Sequence, residues 1–472
     1  MTRRKPTASL DSFREYIFQD SIRSLLQQCA NTGASPELQS SIISNAPLFG
    51  VFQDHSNWPA FVEAGLGVIQ HVPVLKDIFS ALQQQNLNAQ AGHQEKRRLV
   101  NALGINQSLL EGSILASINA AGTFEEATQG LSQFGIDLIL RQRSYPLSKK
   151  KEFPGESYYT FKRGCLLVEV IQPDTPESAI LCSPSEGFMV IEPDRSVIIV
   201  SGHPRAFKIE LIVMRDVPKP SDYAAALFAW LCNVVHWACY NRRNVRPTHP
   251  GSMTQIGLNM GARHLQILGW AKSFNRKLTD QQKIEEDTNL LGAMSLLWAL
   301  VKSYLPGDVT QPVQALLDQG FPTMATRNIP EGCGFSIAID GIDYTFNESN
   351  RAPPEGIATA GYQACSHTDA CSVEWAFGWT VGRIDTAQIL PANKGANFVD
   401  LGLKVVVENS VGTLTAFQPE CLHGTTEKGG VMNYILALTS TRRVLEGYMD
   451  LEKSGARIAY SAETDQHENA AD

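Results

Sequence analysis

The sequence predicts an α+β fold in which helices brace a β-sandwich, with a helical region ahead of it. Apolar residues recur at three- and four-residue spacing through much of the first 145 residues. From Glu156 the spacing becomes strand-like. Between two strand-rich stretches lie long apolar runs of helical character, "SDYAAALFAWLCNVVHWACY" and "NLLGAMSLLWALVKSYL".

In chain order, "SFREYIFQDSIRSLLQQC" and "PVLKDIFSALQQQNLNAQ" read as helices, the first with Asp11 and Ser12 as its N-cap. A His-x-Glu at His93 and Glu95 falls in the polar run "QAGHQEKRR", which reads as a solvated face without chemistry. The prolines, glycine and lysines of "YPLSKKKEFPG" mark an exposed connector. The expected division is a helical region 1–145, a domain 156–448 with its strand core about 321–443, and a tail 449–472 of unstructured composition. Strands are expected at "YYTFKRG", "CLLVEVI", "SAILCS", "GFMVIE", "SVIIVSG" and "AFKIELIVM", and Ser221 as the N-cap of the helix that follows. "ARHLQILGWAKSF" reads as a further helix, and beyond Pro322 strands return at "GFSIAIDG", "FVDLGLKVVVEN", "GTLTAFQP" and "VMNYILALTS".

Composition narrows the function classes. With 43% hydrophobic and 19% charged residues, the 472-residue chain can bury large cores and is not a disordered polymer. Its 40 Lys and Arg against 48 Asp and Glu give a net charge of −8, so any nucleic-acid contact must be local. Nine cysteines, with no C-x-x-C among them, fit reduced, buried thiols and no zinc framework. The start, "MTRRKPTASLDSFREYIF", lacks the apolar core of a signal peptide, and no charge-free apolar run of membrane-spanning length is expected, so the reading is intracellular with no membrane partner.

His367 and Asp369 form the one His-x-Asp of the chain. In a strand, residues two apart face one side, as a shared metal requires. His423 follows a Pro-containing turn in "GTLTAFQPECLHGTTEKGG", far enough downstream for intervening strands to return it to the pair. Two imidazoles and one carboxylate on one face of octahedral iron(II) leave three adjacent open positions, whereas zinc favours closed tetrahedral sets. The competing reading makes both histidines ordinary core or turn residues. Trp375, Phe377 and Trp379 alternate at period two as strand core or pocket wall, and Cys365, Cys371 and Cys421 beside the ligands read as packing.

"GFSIAIDGIDYTF", "CSHTDACSVEWAFGW" and "VVVENSVGTLTAFQPECLHGTT", with "MGARHLQILGWAKSF" upstream, resemble the TET/JBP family, above all its TET-like members in fungi. The resemblance covers roughly residues 261–448. It implies a double-stranded β-helix (jelly-roll) oxygenase core, Fe(2+) held by His367, Asp369 and His423, and dioxygen and 2-oxoglutarate as co-substrates. It also implies oxidation of a methylated base in DNA, typically 5-methylcytosine or thymine, and hence a nuclear location. The family's arginine for the distal 2-oxoglutarate carboxylate is missing. Asn433 stands near its place, leaving Arg442, Arg443 or Arg383 to supply the charge. A flipped base needs cations on the flanking phosphates, for which Arg242, Arg243, Arg246, Arg263 and Lys272 are the candidates, beside Arg276 and Lys277. The cysteine-rich zinc module that accompanies animal members of the family has no counterpart here. A small molecule or protein side chain as substrate, and a degenerate oxygenase fold acting as a binding protein, stay open as alternatives.

Overall fold

The computed structural model describes residues 8–33, 35–44, 58–69, 74–85, 114–144, 184–247, 249–261, 268–271, 278–330, 333–346, 350–364, 366–385 and 389–454, with single residues 72, 182, 274 and 458. The chain forms two compact units, Met1–Arg97 and Arg98–Asp472.

The first unit contains helices α1 (Ala8–Phe18), α2 (Asp20–Thr32), α3 (Pro36–Ser44), α4 (Trp58–Val68) and α5 (residues 74–85). Their apolar stripes meet in a core that includes Phe13, Ile17, Leu26, Phe61, Phe79 and Leu82. Trp58 stacks on Phe61 with ring centroids 5.3 Å apart. Asp11 and Ser12 lie inside α1 rather than at its cap, because the helix already runs from Ala8. His93 and Glu95 fall outside the described residues.

The second unit opens with α6 (Ile114–Ala120), α7 (Phe124–Ser132) and β1 (Ile136–Leu140), so the compact units divide well upstream of the 145–155 connector. β1 pairs in parallel with β3 and belongs to the second unit's main sheet. The following elements are β2 (Met189–Ile191), β3 (Ser196–Ser201), β4 (Lys208–Met214), α8 (Asp222–Asn241), β5 (Ser252–Asn259), β6 (Gly269–Trp270), α9 (Asp280–Tyr304) and α10 (Gly307–Asp318). Then come β7 (Phe335–Ile339), β8 (Ile342–Phe346), β9 (Glu355–Ala360), β10 (Ala376–Ile384), β11 (Phe398–Asp400), β12 (Val405–Val407), β13 (Leu414–Phe417), β14 (His423–Thr425), β15 (Met432–Leu438) and α11 (Arg442–Ser454).

A nine-stranded sheet runs β1-β3-β4-β13-β10-β15-β9-β5-β6, and a four-stranded sheet runs β14-β11-β12-β2. From β9 onward the chain passes repeatedly between them. β9, β10, β13 and β15 lie in the large sheet and β11, β12 and β14 in the small one. The segment around His367 bridges to β14. The sheets meet through Ile199, Leu211 and Val213 on one side and Leu403, Val405 and Val407 on the other. The rings of Phe398 and Phe417 lie 5.0 Å apart across this interface.

The other face of the large sheet packs on α8 and α9, where Leu231, Leu297, Trp298, Phe377, Trp379 and Leu436 share one core. Trp375 joins that core, so the period-two aromatics are packing residues. The indole of Trp379 donates to the Val217 carbonyl at 2.8 Å, and deleting so buried an aromatic would cost about 3–5 kcal/mol. Ser221 caps α8 by accepting from the Ala224 amide, and Thr279 and Gln282 form a capping box on α9.

Several expectations need correction. Gly269–Trp270 is a strand paired with β5 rather than part of a helix, because its backbone completes the β5 edge. α11 extends to Ser454, six residues into the expected tail. α8 is long and apolar enough, by length and composition, to cross a membrane, contrary to the expectation that no such run exists. Its Leu227, Leu231, Val234, Val235 and Ala238 are buried in the main core. The connector 145–155, "YYTFKRG", "CLLVEVI" and nearly all of "SAILCS" lie outside the described residues, as do residues 459–472.

Candidate metal centre

His367, Asp369 and His423 each offer a ligand atom, and these atoms lie within 4.8 Å of one another. The backbone builds this arrangement. His423 opens β14, and the His367 segment runs antiparallel to it through reciprocal bonds, His367 N to His423 O at 2.8 Å and His423 N to His367 O at 3.0 Å. Asp369 is fixed by its amide, which donates to the Pro419 carbonyl at 2.8 Å, and so to the turn preceding His423. The His-Gly-Thr sequence has a steric reason. A Cβ on Gly424 would stand 3.2 Å from the Ala364 carbonyl and the Ser366 backbone, so glycine allows the two segments their close approach. Thr425 Oγ1 accepts from the Ala364 amide at 2.9 Å and holds the same pair of segments.

The His423 ring is buried against Phe417, at 5.0 Å between centroids, and Phe398, at 6.1 Å. Its Nδ1 bonds the Cys421 carbonyl at 2.8 Å, which makes Nδ1 the protonated nitrogen and leaves Nε2 for a metal. Nε2 of His367 and of His423 stand 3.6 and 3.9 Å from Asp369 Oδ2. Adjacent ligand atoms around a six-coordinate ion at metal–ligand distances near 2.1 Å are about 3 Å apart. A small closure of the side chains would therefore seat a divalent ion, and the donor set fits one.

Burial holds His423 neutral, pushing its pKa down to about 4, with the charge of His367 acting the same way. Burial works to raise the Asp369 carboxyl, but the hydrogen bond and charge of His367, with His423 and Arg246, reverse this and keep it below the ordinary carboxylate value. Neutral imidazole and ionised carboxylate are the forms that bind metal. Cys371 and Cys421 are pushed up to about 11 and about 12, chiefly by burial, so they remain protonated packing residues.

The predicted cations scatter. Arg442 lies next to the centre: its amide donates to Ala370 O at 2.9 Å, and its guanidinium pairs with Glu420 at 2.8 Å. Arg443 reaches toward the Gly261 carbonyl at 3.5 Å, away from the ligands. Arg383 sits near the far end of β10, beside Asn433 on β15, and lines a cavity of about 550 Å³ with Lys394 and Asn409. Arg242 is not available to phosphate: it is buried, bound to Asp287 at 2.6 Å and centred 4.1 Å over the Phe274 ring. Arg243 and Arg246 are exposed in the segment that follows α8. Arg263, Lys272, Arg276, Lys277 and Cys365 lie outside the described residues.

Three features near the centre had no sequence signal. Arg143 joins Glu210 of the large sheet, at 2.9 Å, to Asp400 of the small sheet, at 2.8 Å, and Asp400 is the register partner of His423. Glu355 is buried against Thr441, with its carboxyl raised to about 7 by burial and by the charge of Asp369 over the lowering hydrogen bonds of Thr441. His249 stacks on Tyr362 with 8° between the rings, and its Nδ1 meets the Tyr362 hydroxyl at 2.8 Å. Gly251, at φ 80°, admits this loop, since a Cβ would collide with the Gly361 carbonyl.

No family model and no curated protein matches the chain. Among solved structures it is similar to NgTET1 in complex with 5mC DNA, at a TM-score of 0.32 and 8% identity, covering 56% of this chain and 86% of that one. That likeness is too distant to assign a fold or an activity. What the chain itself presents is a mixed α+β unit with large, mainly antiparallel sheets and a His-Asp-His cluster able to hold a metal ion.

Proposed function

We propose that the protein is a mononuclear iron(II) oxygenase on a double-stranded β-helix, using 2-oxoglutarate and dioxygen to oxidise a methylated nucleobase in DNA. The reading is carried by the convergence of His367, Asp369 and His423 from two segments that bridge each other. The passage of successive strands between two sheets supports the β-helix.

Two neutral imidazoles and one carboxylate leave a bound divalent ion positively charged overall, which favours an anionic chelating co-substrate. Iron bound there would supply, with 2-oxoglutarate and dioxygen, the oxidising power for a C–H bond. The chain's own residues bind and orient. Cys421 fixes the His423 tautomer, and the turn at Pro419 fixes Asp369. Gly378 offers space: a Cβ there would meet nothing within 4 Å, and its register partner Thr415 lies two residues from Phe417, the ring that touches His423. Arg442 is the best placed of the predicted anchors, since it already touches Ala370 and Cys371 beside Asp369 and could exchange Glu420 for the co-substrate's distal carboxylate.

For the substrate, exposed Arg243 and Arg246 offer phosphate contacts, and His249, farther along the same segment, stacks on Tyr362 of the segment after β9 to offer a planar surface. Exposed Glu374 and half-buried Glu420 favour, as a second reading, a small molecule or protein side chain in place of DNA.

The test is incubation of purified protein with iron(II), ascorbate, 2-oxoglutarate and a duplex containing 5-methylcytosine, followed by mass spectrometry of the nucleosides and assay of succinate. Hydroxymethylcytosine that disappears in Asp369→Ala is expected. Succinate without an oxidised base would move the proposal to the second reading. Neither product, together with retained DNA binding, would make the protein a binding module.

A further inference from the structure

A groove of about 320 Å³ lies between α8 and the first half of α9. Its walls differ in chemistry. The α8 wall carries Trp230, Val234 and Trp237, at spacings of four and three residues that place them on one helical face. The α9 wall carries Gln282, Glu285, Glu286 and Asn289 on its own face. No cation lines the groove among the described residues. Arg242, at the end of α8, is bound to Asp287.

We propose that this groove binds a lysine or arginine side chain presented by a basic peptide. An aliphatic stem would pack on the indole faces of Trp230 and Trp237, and the charged head would reach Glu285 and Glu286. An anion would meet two carboxylates, and a purely apolar group would strip water from them without replacing it. Asn241 donates to Glu286 at 2.7 Å and fixes that carboxylate in place. Burial raises the Glu286 carboxyl, an effect that a bound cation would offset.

The aromatic surface also continues past the groove, which distinguishes a peptide from a free small cation. Trp237 is 50% exposed and Tyr240 69% exposed. They pack edge to face at 6.0 Å, and His236 stacks on Tyr240 at 7°. A free ion leaves this ridge bare, whereas a peptide lying across the rim covers it. These side chains are separate from the metal centre, so the inference stands apart from the proposed oxidation.

The experiment uses full-length protein labelled with 5-fluorotryptophan, with the resonances of Trp230 and Trp237 assigned among the seven tryptophans by Trp→Phe substitution. Four probes are titrated: a short, otherwise uncharged peptide with a single lysine, its arginine and norleucine counterparts, and tetramethylammonium chloride. The lysine and arginine peptides are expected to shift the two assigned resonances saturably, and norleucine to leave them unmoved. Glu285→Gln, an exposed substitution that leaves the fold intact, is expected to weaken binding about fivefold. Absence of saturable shifts, equal binding of the norleucine peptide, tetramethylammonium binding as tight as the lysine peptide, or unchanged affinity in Glu285→Gln would each overturn the proposal.

Discussion

The two ends of the paired sheets use polar residues in opposite ways. At one end His367, Asp369 and His423 turn their donor atoms toward a common point while the backbone around them is locked. At the other, Arg383 and Asn433 lie side by side across β10 and β15 and turn onto the chain itself. Asn433 Nδ2 donates to Gly395 O at 3.2 Å and Ala396 O at 3.1 Å, and Arg383 Nη1 donates to Asn433 Oδ1 at 3.0 Å and Gly395 O at 3.1 Å. The first end keeps ligand capacity, and the second holds the loop before β11. A polar residue between sheets is therefore read from where its hydrogen bonds go, more than from its type.

If the comparison is right, substitutions at structural positions lower stability without touching metal affinity, and substitutions at the ligands do the reverse. The largest stability effect belongs to Arg143, the tie between the sheets. Arg143→Met would leave Asp400 and Glu210 buried without their cation and lower stability by about 3–5 kcal/mol in urea unfolding. A loss under about 1 kcal/mol would show that the tie is dispensable.

Glu355 comes next, and its effect depends on pH. Its carboxyl is raised to about 7 from an ordinary 4.5, with burial the main cause. The folded protein thus keeps a proton that the unfolded chain releases first. This contribution is full below pH 4.5 and is lost as pH rises through about 7, by up to about 3 kcal/mol. Thermal melts of Glu355→Gln between these limits should lack that decline, and an unchanged slope would reject the assignment.

Asn433→Ala follows at about 2 kcal/mol, because a buried side chain loses three hydrogen bonds, two to the Gly395 and Ala396 carbonyls and one from Arg383, while Arg383 and Asn409 still donate to those carbonyls. Its cobalt(II) affinity should match the parent, and a tenfold loss would move Asn433 into the site. Arg442→Ala is smallest for stability, below about 1 kcal/mol, since its pair with Glu420 is exposed. It should nonetheless weaken 2-oxoglutarate binding about tenfold by equilibrium titration. Unchanged binding would send the search for the anchor elsewhere.

Much of this was legible in the sequence, for physical reasons that can be named. Periodicity located α8 and α9, with Ser221 as the cap of α8, and alternating apolar residues located most described strands. His367, Asp369 and His423 could be singled out because metal chemistry needs few residue types at close range. Arg242 looked like a surface cation because sequence does not reveal that Asp287 and Phe274 enclose it. Gly269–Trp270 looked helical because its strand character comes from the β5 edge. Arg143 and Glu355 carry no local pattern at all, since their partners are brought by distant strands and turns.

The most direct test of the metal centre is anaerobic titration of the full chain with iron(II) and then 2-oxoglutarate, followed by visible absorption. One iron per chain is expected, with a weak charge-transfer band appearing on addition of 2-oxoglutarate and absent from His367→Ala and Asp369→Ala. Iron binding by both variants as tight as by the parent protein would contradict the site.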